Sequence, residues 1–172
     1  MAKVAAVPGV KAAHGQVSLQ NLTVVDKDNK PVGPTIGAPT LGQNWYDDPQ
    51  VHLAQGHAPT KAGEIVLDQA SARHKNIRLG DPLRILTPAG STPGTLVGTV
   101  TYRTGNPGVT MAYVDTTAAQ AQLLGKPDQF TGITVDTAPG ASHTAAQTAI
   151  KAALGDGYSV ATKEQQATTA AQ

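Results

Sequence analysis

Apolar residues in this chain fall into short alternating runs separated by Gly, Pro and polar clusters, with few long helical stripes. Residues 2–7 read as the last turns of a helix stopped by Pro8-Gly9, so the sequence reads as starting inside an element. Val17, Leu19, Leu22 and Val24 alternate loosely and predict one or two half-buried strands within 10–25. The polar run 26–30 before Pro31-Val32 predicts a hairpin turn. Residues 33–63 carry little periodicity and read as a long irregular connection anchored by Trp45, a length that normally has a role. Residues 64–68 form a short strand, and Asp68 is placed to cap a helix over 69–74. Strands follow at 83–87 and 95–102, joined by the turn Pro88-Ala89-Gly90-Ser91.

Beyond residue 105 the pattern changes to β-α-β-α-β. Strands are predicted at 109–114, 130–135 and 158–162. Helices are predicted at 118–124, capped by the Asp115-Thr116-Thr117 run and stopped by Gly125, and at 143–154 after Ser142. Ala146, Ala149, Ile150, Ala153 and Leu154 share one face of the second helix. The tail 163–172 is polar and Ala-rich, and reads as a continuing helix or a frayed end. Weak hydrogen-exchange protection is expected there and in part of 33–63.

Composition narrows the picture. The chain has 172 residues with 15 Val, 12 Leu, 6 Ile and one Phe, so its core is aliphatic. Burying each Val or Leu contributes about 1.5–3 kcal/mol, enough for a fold of moderate size. The 18 Gly and 12 Pro favour a turn-rich, β-containing protein over a helical bundle. Net charge is +1 and aromatics are 3%, which leaves no electrostatic footprint or stacking platform for nucleic acid. With no cysteine, disulfides, thiolate metal sites and thiol catalysis are excluded. No apolar run approaches the roughly 18 residues of a membrane span, and the first residues lack a signal-peptide core.

Catalytic constellations are weak. Val114-Asp115-Thr116 and Val135-Asp136-Thr137 echo each other, but neither continues as the Asp-Thr-Gly of an aspartic peptidase. Capping of the following helices accounts for both carboxylates. His14, His52, His57, His74 and His143 are scattered without the i, i+4 spacing of a helical metal pair, and read as solvated. No Gly-x-Ser-x-Gly or phosphate-binding loop is present. Glu64 and Asp68 flank one strand on the same side about 13 Å apart, too far for a glycosidase pair. No catalytic, cofactor or metal residue is assigned.

Several short motifs in order carry a resemblance. They are Val7-Pro8-Gly9-Val10, Gly56-His57-Ala58-Pro59, Gly63-Glu64-Ile65-Val66-Leu67-Asp68, Leu79-Gly80-Asp81, Leu96-Val97-Gly98-Thr99-Val100 and the stretch 115–125. Over about residues 4–165 the chain resembles the extracytoplasmic domain of FtsX-like (MacB-like) ABC transporter permeases. His57 stands where that family usually has Arg, and the family's preceding strand and transmembrane helix have no counterpart. The sequence therefore reads as an excised piece.

The resemblance implies an α+β fold in two lobes. A porter-like lobe of β-α-β units comes from 1–58 and 106–172, with a β-rich sabre-like lobe at 59–105 inserted into it. It implies no enzymatic activity, and a place on the extracellular side of the cytoplasmic membrane. It implies a separate ATP-binding cassette subunit, a second permease copy and an extracytoplasmic protein or substrate as partners. ATP-driven closure on the cytoplasmic side would move this domain, with 33–63 as a contact surface. The residues alone leave open a free-standing exported binding protein and a secreted hydrolase. A complete first element would favour the former, and convergent carboxylates or a Ser–His pair the latter.

Overall fold

A computed structural model describes residues 1–33, 39–105, 108–127, 129–162 and 164–165. In chain order the elements are α1 (Ala2–Ala5), β1 (Val10–Gln16), β2 (Ser18–Gln20), β3 (Thr23–Val25), β4 (Pro31–Val32), β5 (Thr40–Asn44) and β6 (Val51–Gly56). They continue with β7 (Glu64–Asp68), α2 (Gln69–His74), β8 (Pro82–Thr87), β9 (Gly90–Tyr102), β10 (Thr110–Val114) and α3 (Thr116–Ala119). A π-helical stretch (Gln120–Leu124), β11 (Gly132–Thr137) and α4 (His143–Leu154) complete the order. The chain is α+β, as the sequence predicts. It divides into two compact units, Met1–Gly15 with Ile133–Gln172, and Gln16–Gly132.

In the first unit, β1 and β11 pair as a two-stranded sheet. A small core of Val4, Val7 and Ile150 joins α1 to α4, with Val10, Ile133, Val135 and Leu154 packed around it. Ser142 caps α4 as expected, its hydroxyl accepting the Ala145 N–H at 3.3 Å. The strand predicted at 158–162 does not form. Instead the Val160 carbonyl accepts from Gln147 Nε2 at 2.7 Å, and Val160 packs on the small core. Apart from residues 164–165, the tail expectation lies outside the described residues.

The second unit is a nine-stranded sheet in the order β2-β5-β10-β7-β9-β8-β3-β4, with β6 also on β9. Every residue of β7 is buried, and alternate side chains reach opposite faces. Ile65 and Leu67 join the larger core with Leu96, Ala112 and Val114, where Ala72 of α2 and Ala119 and Leu123 cover the sheet. Val66 faces the other way with Val100, Met111 and Tyr113. A strand covered on both faces needs this unbroken apolar run. β9 has three neighbours: β8 along Gly90–Thr95, β7 in parallel along Thr95–Val100, and β6 along Gly98–Tyr102.

The expected irregular connection at 33–63 is corrected by β5 and β6. β5 pairs with β2 on one edge and runs parallel to β10 on the other. Its Gly42 sits where a Cβ would overlap Leu22 and press on Leu123, so backbone pairing and a bare α-carbon replace the missing apolar alternation. The hairpin at 26–30 forms as predicted, with Val24 opposite Val32 and the Asp26 carboxylate accepting from the Asp28 and Lys30 amides. These amide bonds, the Lys30 one foremost, hold the Asp26 carboxyl below its ordinary value. The units divide at 15/16 and 132/133, and the nine-stranded sheet runs across positions 58/59 and 105/106.

Candidate functional site

The most exposed strand in the second unit is β6, which is intermediate at Val51 and exposed from His52 to Gly56. It pairs with β9 through a register shift between Leu53 and Gln55, and Leu53 is 42% exposed. Gly56 closes the strand at φ 71°, where a Cβ would run into the Val97 carbonyl. His57 follows, its N–H donating to that same carbonyl at 3.0 Å.

The turn from β6 to β7 is organised by Glu64. Its carboxylate accepts from the Thr60 hydroxyl at 2.9 Å and the Thr60 N–H at 3.3 Å. His57 Nε2 lies 3.6 Å from the other carboxylate oxygen, and His57 Nδ1 donates to the Ala58 carbonyl at 2.8 Å. The Thr60 hydroxyl is the chief reason the Glu64 carboxyl sits below its ordinary value. His57 thus faces the Glu64 carboxylate at the position where the resemblance implies Arg. An open hollow of ≈ 530 Å³ beside this turn is lined by Lys61, Gly63, Glu64, Gly94, Thr95 and Val97.

A smaller hollow of ≈ 170 Å³ lies by Asp68, Arg73 and Tyr102. Its polar groups serve the fold. Asp68 accepts from Ser71 N–H and Met111 N–H, and Tyr102 shares a 3.2 Å hydrogen bond with the Tyr113 hydroxyl. Burial pushes the Tyr113 phenol up to about 12 and the Tyr102 phenol higher still. Trp45 meets Tyr113 edge-on, with ring centres 5.7 Å apart, and so acts as the anchor expected of it.

The remaining sequence candidates separate. Asp115 caps α3, accepting from the Thr117 and Ala118 amides. Asp136 is not a cap: it lies within β11 and pairs with His14 Nε2 at 3.1 Å. His52 Nε2 accepts from Arg103 Nε at 3.0 Å, and His74 and His143 lie in α2 and α4. Among the described residues no group of three His, Asp or Glu gathers to hold a metal. No helix there is long and apolar enough to cross a membrane. The three histidine contacts were invisible in the sequence, because each joins residues from different elements or across a turn. Only position 57 carried a signal, as the departure from the family pattern.

Comparison with known proteins adds the following. The family model described as the MacB-like periplasmic core domain matches residues 1–153. The chain is similar to the periplasmic region of MacB from Actinobacillus actinomycetemcomitans, with TM-score 0.63 and 15% identity over 89% of this chain and 70% of that one. It is also similar to the extracellular domain of the noncanonic ABC-type transporter YknZ from Gram-positive bacteria, with TM-score 0.62 and 15% identity over 87% of this chain and 76% of that one. No curated protein matches.

Proposed function

The chain belongs to the MacB-like periplasmic core domain family, and on that premise we propose that it couples ATP-driven transmembrane motion to work outside the membrane. It is an extracytoplasmic domain of the type carried by MacB-like ABC transporter permeases, on the outer side of the cytoplasmic membrane. The family match over residues 1–153 is the observation that carries this reading.

In the proposed mechanism the domain performs no chemistry of its own. A separate ATP-binding cassette subunit supplies the energy, and a second permease copy completes the transporter. Residues 1–58 and 106–172 act as the porter-like part, and 59–105 as the sabre-like part inserted into it. Motion passed through the membrane displaces the domain and so exports a substrate, handles a lipoprotein or activates an extracytoplasmic partner. Internal use of the Asp68, Asp115 and Tyr102 polar groups supports the non-catalytic role. The exposed β6 and the turn after it, both within 33–63, are the proposed contact surface.

The test uses paired spin labels on the domain in the full transporter, read in nucleotide-free and ATP-bound states. A change in label separation is expected. One fixed separation in both states rejects the coupling role.

A further inference from the structure

The exposed strand β6 is bracketed by two histidines whose side-chain contacts favour opposite protonation. At its start, Arg103 Nε donates to His52 Nε2 at 3.0 Å. That bond needs a lone pair on Nε2, so it exists only while His52 is neutral. Protonation replaces it with two cations side by side. Just past the strand's end, His57 Nδ1 must be the donor to the Ala58 carbonyl, since a carbonyl only accepts. In the neutral ring this leaves the Nε2 lone pair facing the Glu64 carboxylate oxygen at 3.6 Å. A proton on Nε2 turns that repulsive approach into a charge-assisted contact.

We propose that β6 is a pH-responsive edge strand, held at its start by Arg103–His52 when the imidazoles are neutral and at its end by His57–Glu64 when they are charged. The surroundings fit this division. β9, the strand that β6 pairs with, places Gly98, Thr99, Val100, Thr101 and Tyr102 opposite it and no charged residue. Arg103 follows immediately. Asp48 lies before β6, where its side chain accepts from the Gln50 N–H. Lys61 also faces Glu64 and favours its charged form, which keeps the acceptor for His57 ionised. Both histidines are exposed, with His57 at 61%, so solvent protons reach them without unfolding.

The opposed linkage gives each end a separate readout in the full chain. Imidazole nitrogen NMR is expected to show both rings as the Nδ1–H tautomer when neutral. Amide exchange, normalised to intrinsic rates at each pH, is read from about pH 5 to 8, the range in which imidazole changes charge. On acidification Thr60, whose N–H rests on Glu64, is expected to become better protected, by up to about fivefold for an exposed ion pair. The backbone around His52 and Arg103 is expected to lose protection over the same range. His57→Arg, a permanent cation, should fix the Thr60 end in its protected state without touching the His52 response. His57→Gln should fix it in the unprotected state. An Nε2–H tautomer at His57 overturns the proposal. So does an equal pH response in wild type and His57→Arg, or a response of the same sign at both ends.

Discussion

The Asp68 carboxylate accepts the backbone N–H of Met111 at 2.9 Å, so the last residue of β7 hydrogen-bonds to β10 with its side chain. Its other oxygen accepts the Ser71 N–H at 2.9 Å and caps α2. One buried side chain therefore ends a strand, starts a helix and holds a neighbouring strand in register. Asp68→Ala removes a cap, worth about 1 kcal/mol. It also leaves a buried N–H without a partner, at about 1–3 kcal/mol. The expected loss is about 2–4 kcal/mol in urea unfolding. Asp68→Asn keeps an acceptor for one of the two amides and should lose less. A loss below about 1 kcal/mol for the alanine variant would show that neither bond matters to stability.

Capping of this kind was readable from sequence because it is local. Asp68, Asp115 and Ser142 each act on an amide two or three residues ahead, and a strand or turn followed by helical spacing marks them. β7 was readable because a strand buried on both faces spells a continuous apolar run. β5 and β6 were hidden for opposite reasons. β5 has Leu41 as its one large apolar residue, and close packing at Gly42 replaces the usual side chain. β6 lies exposed, Leu53 included, so burial imposes no pattern on it beyond the half-buried Val51. Asp136 was misread as a cap because its partner, His14, lies 122 residues away. No spacing rule reaches that far.

Two glycines with similar backbone angles should respond very differently to alanine. Gly56 has φ 71° and Gly63 has φ 86°. At Gly63 a Cβ meets nothing within 4 Å, so only the left-handed conformation resists, at about 1 kcal/mol. At Gly56 the same Cβ strikes the Val97 carbonyl, which belongs to the backbone of β9 and cannot rotate away. Overpacking then adds roughly 1–3 kcal/mol. Thermal or urea unfolding should therefore rank Gly56→Ala well below Gly63→Ala. Equal losses would mean that β6 shifts freely on β9.

Glu64 makes the fold sensitive to acid. The Thr60 hydroxyl holds its carboxyl below the ordinary value of 4.5 in the folded chain. A depressed folded value contributes stability that is present above the unfolded value and lost as pH falls through the folded one. The contribution is therefore complete above about pH 4.5–5 and declines below it. Thr60→Val removes the hydroxyl donor and should lower stability at pH 7, where the contribution is complete, and flatten the decline between about pH 3 and 5, with little change left near pH 3. An unaltered acid slope in the variant would remove Thr60 as the cause.

At the alkaline end the sign reverses. Burial raises the Tyr113 phenol from 10.0 to about 12, and Tyr102 rises further. Both are acids whose neutral form the fold prefers, so their contribution is full below pH 10 and is lost as pH climbs through the raised values. Ultraviolet titration should show these two phenols ionising late, together with a fall in stability from about pH 10 upward. Tyr102→Phe removes one of the two titrations and deprives Tyr113 of its hydrogen-bond partner, at a cost of about 1 kcal/mol near neutral pH. In that variant the alkaline decline should become shallower, because one titrating group remains where two stood. If the decline keeps its full slope, ionisation of the buried Tyr102 is not part of what couples this face of the sheet to pH.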